Sequence, residues 1–291
     1  MSATHASPAT DRSPGPARTD DHDDEHDLGL EHDLATLTAR GVTPDLGALT
    51  KRLDRRRALT LIGGGSAAAL LLAACKIPVT GGGYAAINEE TAGPYPGDGS
   101  NGPNVLTTSG IVRRDIRSSF GGLSGTAAGV PLTIKMKVTD VSEGNAIHPG
   151  YAVYLWHCNR DGKYSLYSSG ITNQNYLRGI QVVDSDGMVT FTSIFPAAYS
   201  GRWPHIHFEV YPSLAKATKV GNKIATSQMA MPVAACNQVY ATSAYAASKA
   251  NLAQSSLATD NVFRDGWAHQ LANVTGSVAK GYTARLTLAV K

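Results

Sequence analysis

The chain has 291 residues, 26 basic against 23 acidic for a formal charge of +3, and 42% hydrophobic residues, enough for one large domain or two small ones. So small a charge excess excludes a polyanion-coating surface and gives no reason to expect nucleic acid as a partner. Thirty glycines, twelve tyrosines and only 17% charged residues suit a turn-rich β domain better than a helical one.

Residues 1–33 are rich in Pro, Ser, Thr and His and carry the acidic run Asp20-Asp21-His22-Asp23-Asp24-Glu25-His26-Asp27, with little to bury. They read as a disordered, solvated segment. After Pro44, Leu46, Leu49 and Leu53 recur at helical spacing, and the chain turns basic at Lys51-Arg52-Leu53-Asp54-Arg55-Arg56-Arg57. The apolar stretch 58–75 follows, too short for a spanning helix of ~20 residues and interrupted by Gly63-Gly64-Gly65. A basic cluster, a mild apolar run and small residues before a cysteine form an export signal. Arg55-Arg56-Arg57-Ala58-Leu59 resembles a twin-arginine signal, and Leu72-Ala73-Ala74-Cys75 resembles a bacterial lipobox. Together they imply a protein held by lipid on Cys75 at the outer side of the cytoplasmic membrane. Residues 1–57 are then disordered leader and basic n-region, 58–75 the signal segment, 76–89 a Pro- and Gly-containing linker, and 90–291 the working domain. With Cys75 lipidated, Cys158 and Cys236 remain as an even pair in an oxidising compartment, and a disulfide between them is expected. It would contribute roughly 4 kcal/mol in the chain-entropy model.

The domain opens on the rigid segment Glu90-Thr91-Ala92-Gly93-Pro94-Tyr95-Pro96. Strands are predicted at 131–138, 151–158, 179–183, 189–194, 205–211, 223–230 and 284–290. Turn signals such as Arg160-Asp161-Gly162 and Asp184-Ser185-Asp186-Gly187 separate them. Only 243–258, Ala-rich and polar, carries a helical pattern of any length. Many short strands with frequent turns predict an all-β domain, a β-sandwich.

The most informative stretch is Gly201-Arg202-Trp203-Pro204-His205-Ile206-His207-Phe208-Glu209-Val210-Tyr211. Pro204 marks the start of a strand, and Ile206, Phe208 and Val210 then alternate with His205, His207 and Glu209. Residues two apart share a face, so two imidazoles aim the same way. That is half of a metal site, a solvated face or a hydrogen-bonded pair. Tyr164 follows the tight turn Asp161-Gly162-Lys163, and Tyr199 sits in the loop Phe195-Pro196-Ala197-Ala198-Tyr199-Ser200 that leads into the histidine strand. Each tyrosine alone reads as packing. Loops on a rigid sheet are nevertheless where chemistry concentrates.

In order, the blocks Trp156-His157-Cys158-Asn159-Arg160-Asp161-Gly162-Lys163-Tyr164-Ser165, Leu177-Arg178-Gly179-Ile180-Gln181-Val182-Val183-Asp184-Ser185-Asp186-Gly187, Phe191-Thr192-Ser193-Ile194-Phe195-Pro196-Ala197-Ala198-Tyr199 and Arg202-Trp203-Pro204-His205-Ile206-His207-Phe208 resemble the intradiol ring-cleavage dioxygenases, the catechol and protocatechuate type, and in particular their exported single-domain bacterial members. The resemblance implies a non-haem Fe(III) held by two tyrosinates, Tyr164 and Tyr199, and two histidines, His205 and His207. It implies a small aromatic diol and O2 as substrates, cleaved between the two hydroxylated carbons to a muconate-type dicarboxylate. Tyr199 is then the phenolate that takes a substrate proton, Arg202 the fixed positive charge beside the reacting ring, and Gln228 a side chain lining the site. Tyr95 falls where that family's leading segment passes the pocket. Independently of the resemblance, a phenolate is a hard anionic donor that suits trivalent iron better than Zn(II) or Cu(I). His157, on the opposite strand face from Trp156 and Cys158, reads as a core or supporting histidine rather than a ligand. Two other readings stand beside this one: a lipid-anchored β-sandwich that binds a partner without catalysis, and an enzyme using zinc or copper through His205 and His207. Substrate identity and oligomeric state are left open.

Overall fold

The computed structural model describes residues 83–291. The expectations placed on the acidic leader, the twin-arginine run, the lipobox and Cys75 lie outside those residues. Among the described residues no helix is long and apolar enough to cross a membrane.

Among the described residues nine strands form two sheets. The first contains β1 (Pro131–Asp140), β2 (Ala146–Ile147), β5 (Met188–Ile194), β8 (Asn273–Ser277) and β9 (Gly281–Val290). β2 and β5 both pair with β1 antiparallel, β1 pairs with β9 in parallel, and β8 closes the far edge. The second is antiparallel throughout, β4-β3-β6-β7, from β3 (Ala152–Trp156), β4 (Arg178–Val182), β6 (His205–Tyr211) and β7 (Ala225–Ala230). Leu132, Ile134, Met136 and Val138 of β1 share one core with Val153 and Leu155 of β3 and Ile206, Phe208 and Val210 of β6, which makes the pair of sheets a β-sandwich.

Every residue of β3, β6 and β7 is buried, although β6 alternates apolar and polar side chains. The apolar set faces the sandwich core. The other set, with Tyr154 and Trp156 of β3 and Tyr211 of β6, faces a second, outer core cluster containing Val105, Leu106, Ile111 and Tyr164. Loops 90–120 and 157–177 supply most of that cover, so the polar face of β6 lies under a third layer rather than in water.

Two helices, α1 (Val233–Tyr240) and α2 (Ala246–Ala253), pack at the edge of the sandwich core. α2 and the short turn before it lie within the predicted 243–258 stretch; α1 begins just after Pro232, which cannot sit deeper in a helix. Both helices grip the 195–199 loop. Tyr240 Oη donates to the Pro196 carbonyl (2.9 Å), Tyr245 Oη to that of Phe195 (2.8 Å), and Ser248 Oγ accepts from Ala198 N–H (3.1 Å). At the N-terminal side the chain is anchored by Ile87, whose N–H reaches the Ala289 carbonyl at 2.8 Å.

The expected disulfide does not form: Cys158 and Cys236 are both buried free thiols. They sit in different clusters, Cys158 among the outer aromatics and Cys236 on α1 in the sandwich core. The Cys158 thiol faces the Ala197 carbonyl (3.7 Å), and burial pushes both thiols up to about 12, leaving them protonated.

Candidate metal centre

Four side chains from three segments meet on the outer face of β6. His205 and His207 come from the strand itself, as the two-residue period requires. Tyr164 is delivered by a turn in which Asn159 Oδ1 accepts from the N–H groups of Asp161 and Lys163, both at 2.9 Å. Gly162 completes the turn at φ +77°, and a Cβ there would come within 3.1 Å of Tyr199 Cβ. Tyr199 arrives on the loop held by α1 and α2.

Tyr164 Oη lies 3.4 Å from Tyr199 Oη, 3.4 Å from His205 Nε2 and 3.2 Å from His207 Nε2. Tyr199 Oη is 3.3 Å from His205 Nε2, and the two Nε2 atoms are 3.0 Å apart. Four donors each ~2.0–2.1 Å from one central ion would stand ~3.3 Å from each other in a tetrahedral arrangement. The spacing is that of a coordination shell.

Hydrogen bonding alone accounts poorly for the cluster. His205 Nδ1 donates to the Trp203 carbonyl (2.5 Å), which leaves its Nε2 as a bare lone pair aimed at the centre. His207 stacks flat on Trp156 (centroids 4.9 Å, 6° between planes), and its Nδ1 has no partner among the described residues. The histidines are 2% and 3% exposed and Tyr164 is 1%, so the cluster is closed to bulk solvent. Burial, then the Arg202 charge, holds His205 near about 3; burial, then His205 and Arg202, holds His207 well below its ordinary value. Burial, then the Tyr199 phenol, pushes Tyr164 well above the usual tyrosine range. Neutral imidazoles offer lone pairs to a cation, and a multivalent cation is what would hold the phenols ionised. Two hard phenolate oxygens and two imidazoles fit Fe(III).

Arg202 is wholly buried, with Nε donating to Asp260 Oδ2 (3.0 Å) and Nη2 to Gln228 Oε1 (2.7 Å). Burial works against its cation; the Asp260 carboxylate, helped by Tyr199, more than offsets this and raises its pKa. Gln228 pairs in register with His207 and donates through Nε2 to the Thr91 carbonyl (3.0 Å). The leading segment therefore straps the site: Gly93, at φ +71°, passes so close that a Cβ would lie 3.2 Å from His207 Cε1, and Tyr95 packs on Tyr164 with centroids 4.9 Å apart.

The structure brings Tyr164, Tyr199, His205, His207, Arg202 and Gln228 into one neighbourhood. His157 stays out of it, bonded to the Cys158 carbonyl and Ser193 Oγ at 2.7 Å each. Asp260 was not anticipated, since its Thr-Asp-Asn context reads as an ordinary turn. A separate trio, Asp140, Glu143 and His148, places its ligand atoms within 4.8 Å of one another. Asp140 is buried and Glu143 exposed, with His148 already 3.3 Å from Glu143 and Asp140 Oδ1 occupied by Ser142.

Residues 102–207 match a family model described as Dioxygenase. A chlorocatechol 1,2-dioxygenase of Rhodococcus opacus is 40% identical over 50 residues, 17% of this chain and 20% of that protein, so the chain aligns with about a fifth of that relative's length. An intradiol ring-cleavage dioxygenase from Tetranychus urticae superposes with a TM-score of 0.57 at 21% identity, covering 72% of this chain and 95% of the other. The chain carries a dioxygenase-family segment, which delivers Tyr164, Tyr199, His205 and His207 to one point, and has the fold of the intradiol ring-cleavage dioxygenases.

Proposed function

We propose that this protein is a non-haem Fe(III) intradiol dioxygenase acting on a catechol-like aromatic diol. The observation that carries the reading is the set of five donor–donor distances of 3.0–3.4 Å among two phenol oxygens and two imidazole nitrogens. Tyr164, Tyr199, His205 and His207 would hold the ion. Ferric iron bound there supplies the Lewis acidity that makes an electron-rich diolate ring reactive toward O2.

The remaining work falls to the protein. Tyr199, at 8% the most exposed of the four, is the phenolate placed to take a proton on Oη from an incoming diol hydroxyl. Tyr164 is the more deeply buried phenol and stays in place. Arg202 presents donors toward oxygen atoms that gain negative charge. Gln228 fixes that guanidinium and ties it to the strap at Thr91. The strap and the outer cluster keep bulk water from the reacting ring. The net change adds both atoms of O2, breaks the bond between the two oxygen-bearing carbons and leaves a muconate-type dicarboxylic acid.

The test is O2 uptake by iron-loaded protein with catechol, protocatechuate and hydroxyquinol, with product identified by mass. Uptake with gain of two oxygen atoms is expected for at least one of them. A fully iron-loaded protein that consumes no O2 with any diol contradicts the reading.

The same proposal places the protein outside the cytoplasmic membrane, tethered through Cys75, on the strength of Arg55-Arg56-Arg57 and Leu72-Ala73-Ala74-Cys75. Cys75→Ser should release it from the membrane fraction; retention of that variant would exclude a lipid tether at Cys75.

A further inference from the structure

We propose that Asp260 is a positioning residue: it aims Arg202 at the reacting centre and neutralises its charge, so that Arg202 acts through directed hydrogen bonds rather than as a free cation. This rests on the reading of Arg202 given above.

Asp260 belongs to the loop between α2 and β8, and its side chain is fully buried. Both oxygens are spoken for. Oδ1 accepts from the N–H groups of Val262 (2.8 Å) and Phe263 (3.2 Å), which fixes the carboxylate on its own loop. Oδ2 accepts from Arg202 Nε (3.0 Å) and from Trp203 N–H (2.6 Å). A carboxylate with four N–H donors has no freedom to rotate.

A guanidinium is a planar fork, so anchoring two of its nitrogens sets the direction of the third. Nε is held by Asp260 and Nη2 by Gln228. Nη1 has no acceptor among the described residues, so its two N–H groups are left for a ligand. Gln228, which holds Nη2, pairs in register with His207, so the guanidinium lies beside the strand that carries two of the four ligand candidates. The grip on Trp203 reaches the metal site by a second route. The carbonyl of that same residue receives the Nδ1 proton of His205, so the carboxylate also steadies the group that sets the His205 tautomer.

The charge balance gives the inference its second half. The buried Arg202–Asp260 pair is neutral, with side chains 1% and 0% exposed. With Tyr164 and Tyr199 ionised against a trivalent cation, an unpaired arginine would add to the positive charge of a closed, low-dielectric site.

The experiment is a double-mutant cycle in the iron-loaded full chain: Arg202→Gln, Asp260→Asn and the two combined. The readouts are iron content, melting temperature, kcat and KM per bound iron with a diol the wild type cleaves, and the spectrophotometric Kd for 4-nitrocatechol. Asp260→Asn should retain iron and bind 4-nitrocatechol within about 3-fold of wild type, while kcat falls on the order of 100-fold, the scale of a small misplacement in a reacting geometry. In the Arg202→Gln background the same substitution should change kcat less than about 2-fold, because the group it positions is gone. A merely structural Asp260 would lower the melting temperature in both backgrounds and leave kcat per bound iron alone, which overturns the proposal. So does an equally large kcat loss in both backgrounds. If Asp260→Asn does not fold, Asp260→Glu, which keeps the carboxylate but displaces it, takes its place in the cycle: a large kcat loss per bound iron in the Arg202 background alone supports the proposal, and an unchanged kcat per bound iron overturns it. Should Arg202→Gln itself keep full kcat, the role of Arg202 fails, and that outcome is distinct from a failure of Asp260 to act through it.

Discussion

Two buried polar neighbourhoods share the outer face of the β4-β3-β6-β7 sheet, and they solve the problem of burial in opposite ways. At one, Arg178 of β4 is 1% exposed and spends all five N–H groups inside the protein. Nε reaches Ser165 Oγ (3.1 Å), Nη1 the Pro96 carbonyl (2.7 Å) and Tyr154 Oη (3.3 Å), and Nη2 the carbonyls of Tyr95 and Ser165 (2.9 Å each). At the other, Tyr164, Tyr199, His205 and His207 turn their polar atoms toward one another with phenol contacts of 3.2–3.4 Å, long for hydroxyl hydrogen bonds. A closed set of hydrogen bonds marks a structural device; convergent lone pairs mark a place for a cation. The two are joined by the leading segment, whose Tyr95 carbonyl is tied to Arg178 while its ring rests on Tyr164.

The contrast can be broken at either end. Tyr164→Phe removes an anionic ligand and should cut bound iron by at least about 10-fold, with loss of most visible colour, read by metal analysis and absorption. Arg178→Met should leave the Ser165 carbonyl buried without its donor and the Pro96 carbonyl with Tyr154 Oη alone. It should lower stability by about 3 kcal/mol in denaturant unfolding, because the socket is structural. Gly93→Ala puts a methyl group against His207 at a backbone angle that suits glycine; it should cost about 1–3 kcal/mol and weaken iron binding less than Tyr164→Phe does. The smallest effect is expected of reductant. With Cys158 and Cys236 both free, dithiothreitol should leave the thermal midpoint in place, and a marked drop would reveal a bridge.

Legibility in the sequence followed the range of the interaction. β6 was predicted to the residue, because Pro204 and the period-two alternation are local signals, and the shared face of His205 and His207 follows from them. The sandwich was legible for the same reason, although β2 and β8 were missed: β2 has two residues, and Asn273–Ser277 lacks a buried face. Tyr164 and Tyr199 were singled out through a family pattern, since no periodicity separates a tyrosine that converges on the histidines from a packed one. Asp260 was invisible because its partner lies 58 residues earlier and no local pattern links them. The pairing of Cys158 with Cys236 was expected from parity and compartment, but α1 places Cys236 in the sandwich core while Cys158 faces the outer cluster.

The central claim, that four convergent donors form a ferric site with two phenolate ligands, is tested most directly by titrating metal-free protein with Fe(III) and following visible absorption. The account predicts a red-brown phenolate-to-iron band that saturates at one ion per chain and is lost when Tyr164 and Tyr199 are both replaced by Phe. A protein that binds a full equivalent of iron and stays colourless, or a band that survives both replacements, would contradict it.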